Sequence, residues 1–198
     1  MGGLFYAPNL PGNLSTKLQR NEKTILVFGL IAGLIVTAMM LSSVAMIYNN
    51  QDFKGNEIIG YATMLVAFSF IFVGIKQFRD KHNQGIISFG KAFRIGLYIS
   101  LIASTMYVLV WLVEYYVFVP DFAEKYASCV LNKAKTNGAT PGELAKQATQ
   151  MASFTEMYKN PLFVILISYI EILPIGLLVA LISALLLKRK VKPQVQNV

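Results

Sequence analysis

"PLFVILISYIEILPIGLLVALISALLL" occupies residues 161–187, and Glu171 is its only ionisable side chain apart from the phenol of Tyr169. A helix rises about 1.5 Å per residue, and roughly 20 apolar residues cross about 30 Å of hydrocarbon, so this run spans a bilayer with length to spare. Residues 24–48 and 93–119 meet the same length. Residues 58–75 form a shorter fourth run that is nearly free of polar side chains. Composition agrees: of 198 residues, 55% are hydrophobic and only 14% charged, against about 25% charged in soluble domains. The reading is an all-α polytopic membrane protein, a bundle of four transmembrane helices.

The first run follows Lys17, Arg20 and Lys23, and residues 43–45 are small, as in a secretory leader. Its apolar stretch exceeds the roughly 7–15 residues of a signal core, so it is expected to stay as a span. Gly2 is present, but Tyr6 stands where N-myristoylation wants Ser or Thr.

The net charge of +8 is unevenly spread. The tail 1–23, the loop 76–92 with its flank, and the tail 188–198 hold Lys17, Arg20, Lys23, Lys76, Arg79, Lys81, Lys91, Arg94, Lys188, Arg189, Lys190 and Lys192, opposed only by Glu22 and Asp80. In the other two connections Lys54, Lys125, Lys133, Lys135, Lys146 and Lys159 are balanced by as many acids. Positive-inside bias predicts an inner-membrane protein with both termini and the loop 76–92 cytoplasmic. Topology and attraction to anionic lipid account for this charge. Nucleic-acid binding lacks both a folded basic surface and aromatic platforms.

Residues 120–160, expected on the periplasmic side, are too many for a bare connector. "DFAEKYASCVLNKAKTNG" (121–138) places Phe122, Tyr126, Cys129 and Val130 at helical spacing and stops at Asn137 and Gly138. "TPGE" (140–143) reads as an N-cap, a proline at the first helical position and a capping-box glutamate. Leu144, Ala148, Met151, Thr155 and Tyr158 then share a face, and Asn160 and Pro161 start the last span. A helical hairpin is expected between spans three and four.

"NQGIISFGKAFRIG" (83–96) is too apolar for a freely solvated loop. Ser88 can cap the following helix, and Lys91 and Arg94 can snorkel to phosphates. With Lys76 and Arg79 they form a cationic collar able to hold an anionic lipid head group.

Helices in lipid associate through close approach at small residues. Gly29, Gly33 and Thr37 supply such a row in span one, Gly60, Ala67 and Gly74 in span two, Gly96, Ser100 and Ser104 in span three, and Gly176, Ala180 and Ala184 in span four. Glu114 falls on the face of Gly96, Ala103 and Tyr107, about 9 Å below the outer end of its span. Glu171 lies about 15 Å below its own end, on a straight helix pointing away from the small-residue row, so the two carboxyls differ in depth by about 6 Å. Pro174 removes a backbone donor and frees the Ile170 carbonyl. A carboxyl near the bilayer centre costs a few kcal/mol, and no Lys or Arg lies at its depth. Tyr107, Ser168, Tyr169 and Glu114 are the partners considered for Glu171. An intramembrane polar site of Glu114, Glu171, Pro174, Tyr107 and Ser168 follows. It would suit helix bonding, proton or cation handling, or acid–base work on a lipid-linked substrate.

Cys129 and His82 are single, so thiolate–histidine metal sites and Cys–His nucleophiles are poorly supplied, and no cofactor is implied. No GxxxxGK[ST], HExxH or nucleophile elbow occurs. The stretches "FGKAFRIGL" (89–97), "FVPDFAEKYA" (118–127), "MYKNPLF" (157–163) and "EILPIGLLVALISALLLKRK" (171–190) resemble an uncharacterised family of bacterial four-span membrane proteins common in the Bacteroidota, domain of unknown function 4199. The resemblance covers about residues 22–190 and implies no activity, ligand or active site. The expected role is a non-catalytic accessory or scaffold subunit for a membrane-protein partner or a homo-oligomer. The alternatives are a proton- or cation-coupled transporter or channel component using Glu114 and Glu171, and an enzyme or binding protein for an anionic lipid carrier.

Overall fold

The computed structural model describes residues 14–48 and 57–189. Gly2 and Tyr6, the connection holding Lys54, and the tail bases Lys190 and Lys192 lie outside the described residues. Among the described residues six α-helices follow one another: α1 Leu14–Tyr48, α2 Glu57–Gln77, α3 Phe89–Val113, α4 Phe122–Thr136, α5 Pro141–Tyr158 and α6 Pro161–Leu187. Single π-helical turns, Phe78–His82 and Glu114–Phe118, close α2 and α3. Of these helices, α1, α2, α3 and α6 are long and apolar enough to cross a membrane.

α1 and α6 each pack along both α2 and α3, which also touch each other. The bundle is therefore a rhombus with α2 and α3 on its short diagonal. Small residues set the spacing. Gly29 faces Ile102, and Gly33 faces Ala103 and Met106, so α1 and α3 run parallel. Gly96 meets Ala180 and Gly176 meets Ser100, so α3 and α6 run antiparallel. Gly74 lies against Ile99 and Phe28, whereas Gly60 has open space around it. Phe68, Ile71, Ile75, Ile99 and Ile172 fill the interior and are fully buried.

This packing gives the bundle two unlike ends. At the basic end, the Ser88 hydroxyl accepts from the Lys91 amide at 3.4 Å and starts α3. Ile87, only 1% exposed, pairs its backbone with Arg189 just beyond α6, through hydrogen bonds of 2.9 and 3.2 Å. The expected interfacial loop is thus a closed corner that joins the two halves of the chain.

At the other end, α4 and α5 pack together as a hairpin. Thr140 and Glu143 form the capping box, with Pro141 in the first turn, and Gly138 turns the chain at φ +81°. The less exposed face of α5 follows Leu144, Gln147, Met151, Phe154 and Tyr158. Ala148 is exposed, which corrects the expected stripe. Its methyl is too short to reach α4 from a position one step off that row. Aromatic rings dock the hairpin on the bundle: Trp111 meets Phe122 edge-on at 5.1 Å, and Tyr158 lies between Tyr115 at 5.4 Å and Phe163 at 5.8 Å. The Tyr116 hydroxyl donates to the Tyr158 carbonyl at 3.1 Å. A second tether reaches α1. The Tyr48 hydroxyl donates to Asp121, and the Lys125 ammonium sits 3.1 Å from Asp121 and 3.6 Å over the Tyr48 ring.

A methyl added at Gly96 would stand 2.8 Å from Ala180 Cβ and 3.2 Å from its Cα. Gly96→Ala therefore forces α3 off α6 and should cost about 1–3 kcal/mol. Gly60→Ala should be neutral or stabilise by up to about 1 kcal/mol. Thermal unfolding in detergent separates them, and equal effects at both positions would contradict this packing.

The Tyr48 hydrogen bond, aided by Lys125 and opposed by burial, holds the Asp121 carboxyl below its ordinary range. The folded value is depressed, so the tether is complete above about pH 4 and is lost as pH falls through the folded value. Trp111, the single tryptophan, reports on it through Phe122. Its emission should hold steady from neutral pH down to about pH 4 and shift below. In Asp121→Asn the shift should already be present at neutral pH. Identical profiles for variant and parent would rule the tether out.

Candidate intramembrane polar site

α6 buries Val164, Ser168, Ile172, Gly176, Ala180 and Ala184, one residue per turn. Glu171 lies off that row and is exposed, as are Ile170, Pro174 and Leu178. Its level follows from the packing. Gly176 touches Ser100, so five residues toward the hairpin end bring Glu171 level with Thr105. The Thr105 hydroxyl and the Tyr169 hydroxyl are hydrogen-bonded at 2.8 Å, which pins that register. This level falls inside the run of α6 that is long and apolar enough to cross a membrane.

No hydrogen bond or ion pair among the described residues holds the Glu171 carboxyl. It lies within electrostatic reach of the phenols of Tyr107, which is buried on α3, and Tyr158, at the end of α5. Burial above all pushes the Tyr158 phenol well above its ordinary range. Tyr158 therefore stays a neutral hydroxyl through the physiological range. Ser168 is committed elsewhere, because its hydroxyl donates to the Val164 carbonyl at 2.7 Å. Pro174 sits inside an unbroken helix. Lacking an N–H, it leaves the Ile170 carbonyl without its helical donor. Glu171 thus adjoins a backbone carbonyl that Pro174 deprives of its usual helical donor.

Glu114 opens the π-helical turn and is half-buried, beside rather than in the buried line of Tyr107, Trp111 and Tyr115. Nine residues separate it from the Thr105 level, or about 13 Å. The expected 6 Å assumed that the outer ends of α3 and α6 stand level. The contact of Gly176 with Ser100 offsets them. Glu114 and Glu171 do not share a site in this structure.

The four cationic candidates divide. The Arg79 guanidinium holds Asp80 through Nε at 2.6 Å and Nη2 at 3.2 Å, and reaches the Leu187 carbonyl through Nη1 at 3.4 Å. Lys91 donates to Asn83 Oδ1 at 3.3 Å and lies 4.6 Å over the Phe78 ring. Lys76 and Arg94 are exposed. Arg189, absent from the expected collar, stands beside them because its backbone pairs with Ile87. Side-chain patterning carries no signal for such a backbone bridge.

The model of one family, described as "Protein of unknown function (DUF4199)", matches residues 27–189. No curated protein and no solved structure matches the chain.

The hydrogen bond between Thr105 and Tyr169 is the interhelical polar contact that positions Glu171. Interhelical hydrogen bonds in membranes average about 0.6 kcal/mol and reach about 1.7. A double-mutant cycle of Thr105→Val and Tyr169→Phe, followed by unfolding in detergent, should return a coupling in that range. Zero coupling would remove the contact from the account.

Proposed function

The chain belongs to the DUF4199 family, and we propose that it serves as a non-catalytic membrane subunit that docks a transmembrane partner on the Glu171 flank of α6. The observation carrying this reading is an exposed, unbonded carboxyl at membrane depth. A polar group left in hydrocarbon costs free energy, and interior acids ordinarily face a bundle or a cavity. A neighbouring helix that offers a hydroxyl, amide or imidazole to Glu171 and to the Ile170 carbonyl removes that cost. The surface around it, formed by Leu166, Ile170 and Leu178 of α6, is apolar and exposed, as a helix-packing face requires.

A proton or cation path through one chain fits less well. The interior is filled by Ala32, Ala67, Phe68, Ile71, Ile99 and Ala103, all fully buried, and the two carboxyls stand about 13 Å apart along the bundle. The charge bias supports a cytoplasmic basic end and a hairpin on the opposite side, hence an inner-membrane location with cytoplasmic termini.

Photocrosslinkers placed at Ile170 and Leu178 in cells should capture one dominant membrane protein. Glu171→Leu should weaken the captured complex about threefold to twentyfold, the equivalent of one interhelical hydrogen bond. Glu171→Gln, which keeps a donor and an acceptor, should retain it. A scatter of unrelated abundant proteins, or equal capture by Glu171→Leu, would overturn the proposal.

A further inference from the structure

The basic end gathers charged side chains from two helices, away from the Glu171 flank. Lys76 closes α2 and Arg189 follows α6, more than a hundred positions apart in sequence. The backbone pairing of Ile87 with Arg189 and the reach of Arg79 Nη1 to the Leu187 carbonyl fold the end of α6 onto the end of α2. Asp80 lies at the junction. Arg79 grips its carboxylate, and the charges of Lys76 and Arg189 both act on it. Arg79 is thus paired with the one carboxylate, while Lys76 and Arg189 add two positive charges at the same end of the bundle that no ion pair among the described residues compensates. Lys76 and Arg189 are exposed.

The surface beside them is apolar. Val73 lies one turn from Lys76 on α2, and Ile182 and Leu186 lie on α6 just above Arg189, all exposed. α2 and α6 pack side by side. Charge at the membrane edge, continued into the membrane by two apolar strips, matches an amphiphile with an anionic head and hydrocarbon tails. A soluble anion would use only the charged part.

We propose that Lys76 and Arg189, gathered around Asp80, bind the phosphate of a membrane phospholipid whose chains lie along Val73, Ile182 and Leu186. Asp80 occupies part of the anion position and limits affinity. Arg79 is engaged by Asp80 and the Leu187 carbonyl and serves as a positioning residue.

The test uses the purified full chain in neutral detergent, with phosphatidylglycerol and phosphatidylcholine as probes read by native mass spectrometry. The parent protein should retain phosphatidylglycerol in preference. Lys76→Gln with Arg189→Gln should lower its retention about thirtyfold, taking each lost cation near a surface as about fivefold to sixfold. Arg189 makes its bridge through backbone atoms, so this pair leaves the corner intact. Lys76→Arg with Arg189→Lys should bind as the parent does. Asp80→Asn should raise retention. Lys133→Gln with Lys135→Gln, the same charge change on the hairpin, should have no effect. Equal losses from both double variants would overturn the site in favour of general charge attraction. Displacement of phosphatidylglycerol by millimolar inorganic phosphate would overturn the lipid assignment and make it a free-phosphate site. Weaker binding in Asp80→Asn would contradict the role given to that carboxylate.

Discussion

The close contact of α3 with α6 is the constraint on which the rest of the molecule depends. Lipid tails are as apolar as leucine, so burial alone gives helices no reason to associate. Gly96 against Ala180 and Gly176 against Ser100 let the two backbones approach closely enough for dispersion and weak polar contacts to hold them. That clasp fixes the rotation of α6 as well as its position. With Ser168, Ile172 and Gly176 turned inward, Glu171 can only stand at the side. It also offsets the ends of the two helices, which separates Glu114 from Glu171.

The two ends of the bundle are stabilised by different chemistry. The hairpin end is aromatic, with Tyr158 packed among Tyr115, Phe154 and Phe163, and Asp121 tied to Tyr48. Amphipathic rings suit the membrane interface, where one edge is apolar and the other wet. The basic end is closed by main-chain pairing and by Arg79, which links Asp80 to the last turn of α6. The middle of the bundle is nearly featureless by comparison, which makes the lateral carboxyl of Glu171 conspicuous.

Much of this was legible in the sequence where the physics is local. Apolar run length marks the four spans. Thr140 with Glu143, Ser88 and Asn160 mark helix starts because capping involves residues two or three apart. Rows of small residues mark packing faces, yet they do not say which member is used: Gly60 and Gly96 read alike, and of the two only Gly96 meets a neighbour. Glu171 and Tyr107 stand out as polar groups in apolar runs. The commitment of Ser168 to its own helix, the offset between α3 and α6, and the approach of Arg189 to Lys76 are not legible. They depend on register between distant segments, which side-chain periodicity does not encode.

Lateral docking at Glu171 depends on the rotation of α6. Nitroxide labels placed one at a time along residues 164–180 of the chain reconstituted in bilayers would read it through oxygen and nickel-chelate accessibility. With α6 turned as in this structure, oxygen accessibility is high at 166, 170, 171, 174 and 178 and low at 168, 172, 176 and 180, and the nickel chelate has little access at 171. Position 171 sharing the minimum of 168 and 172, or opening to the nickel chelate, would mean that Glu171 faces the bundle or a water-filled path. That result would contradict lateral docking.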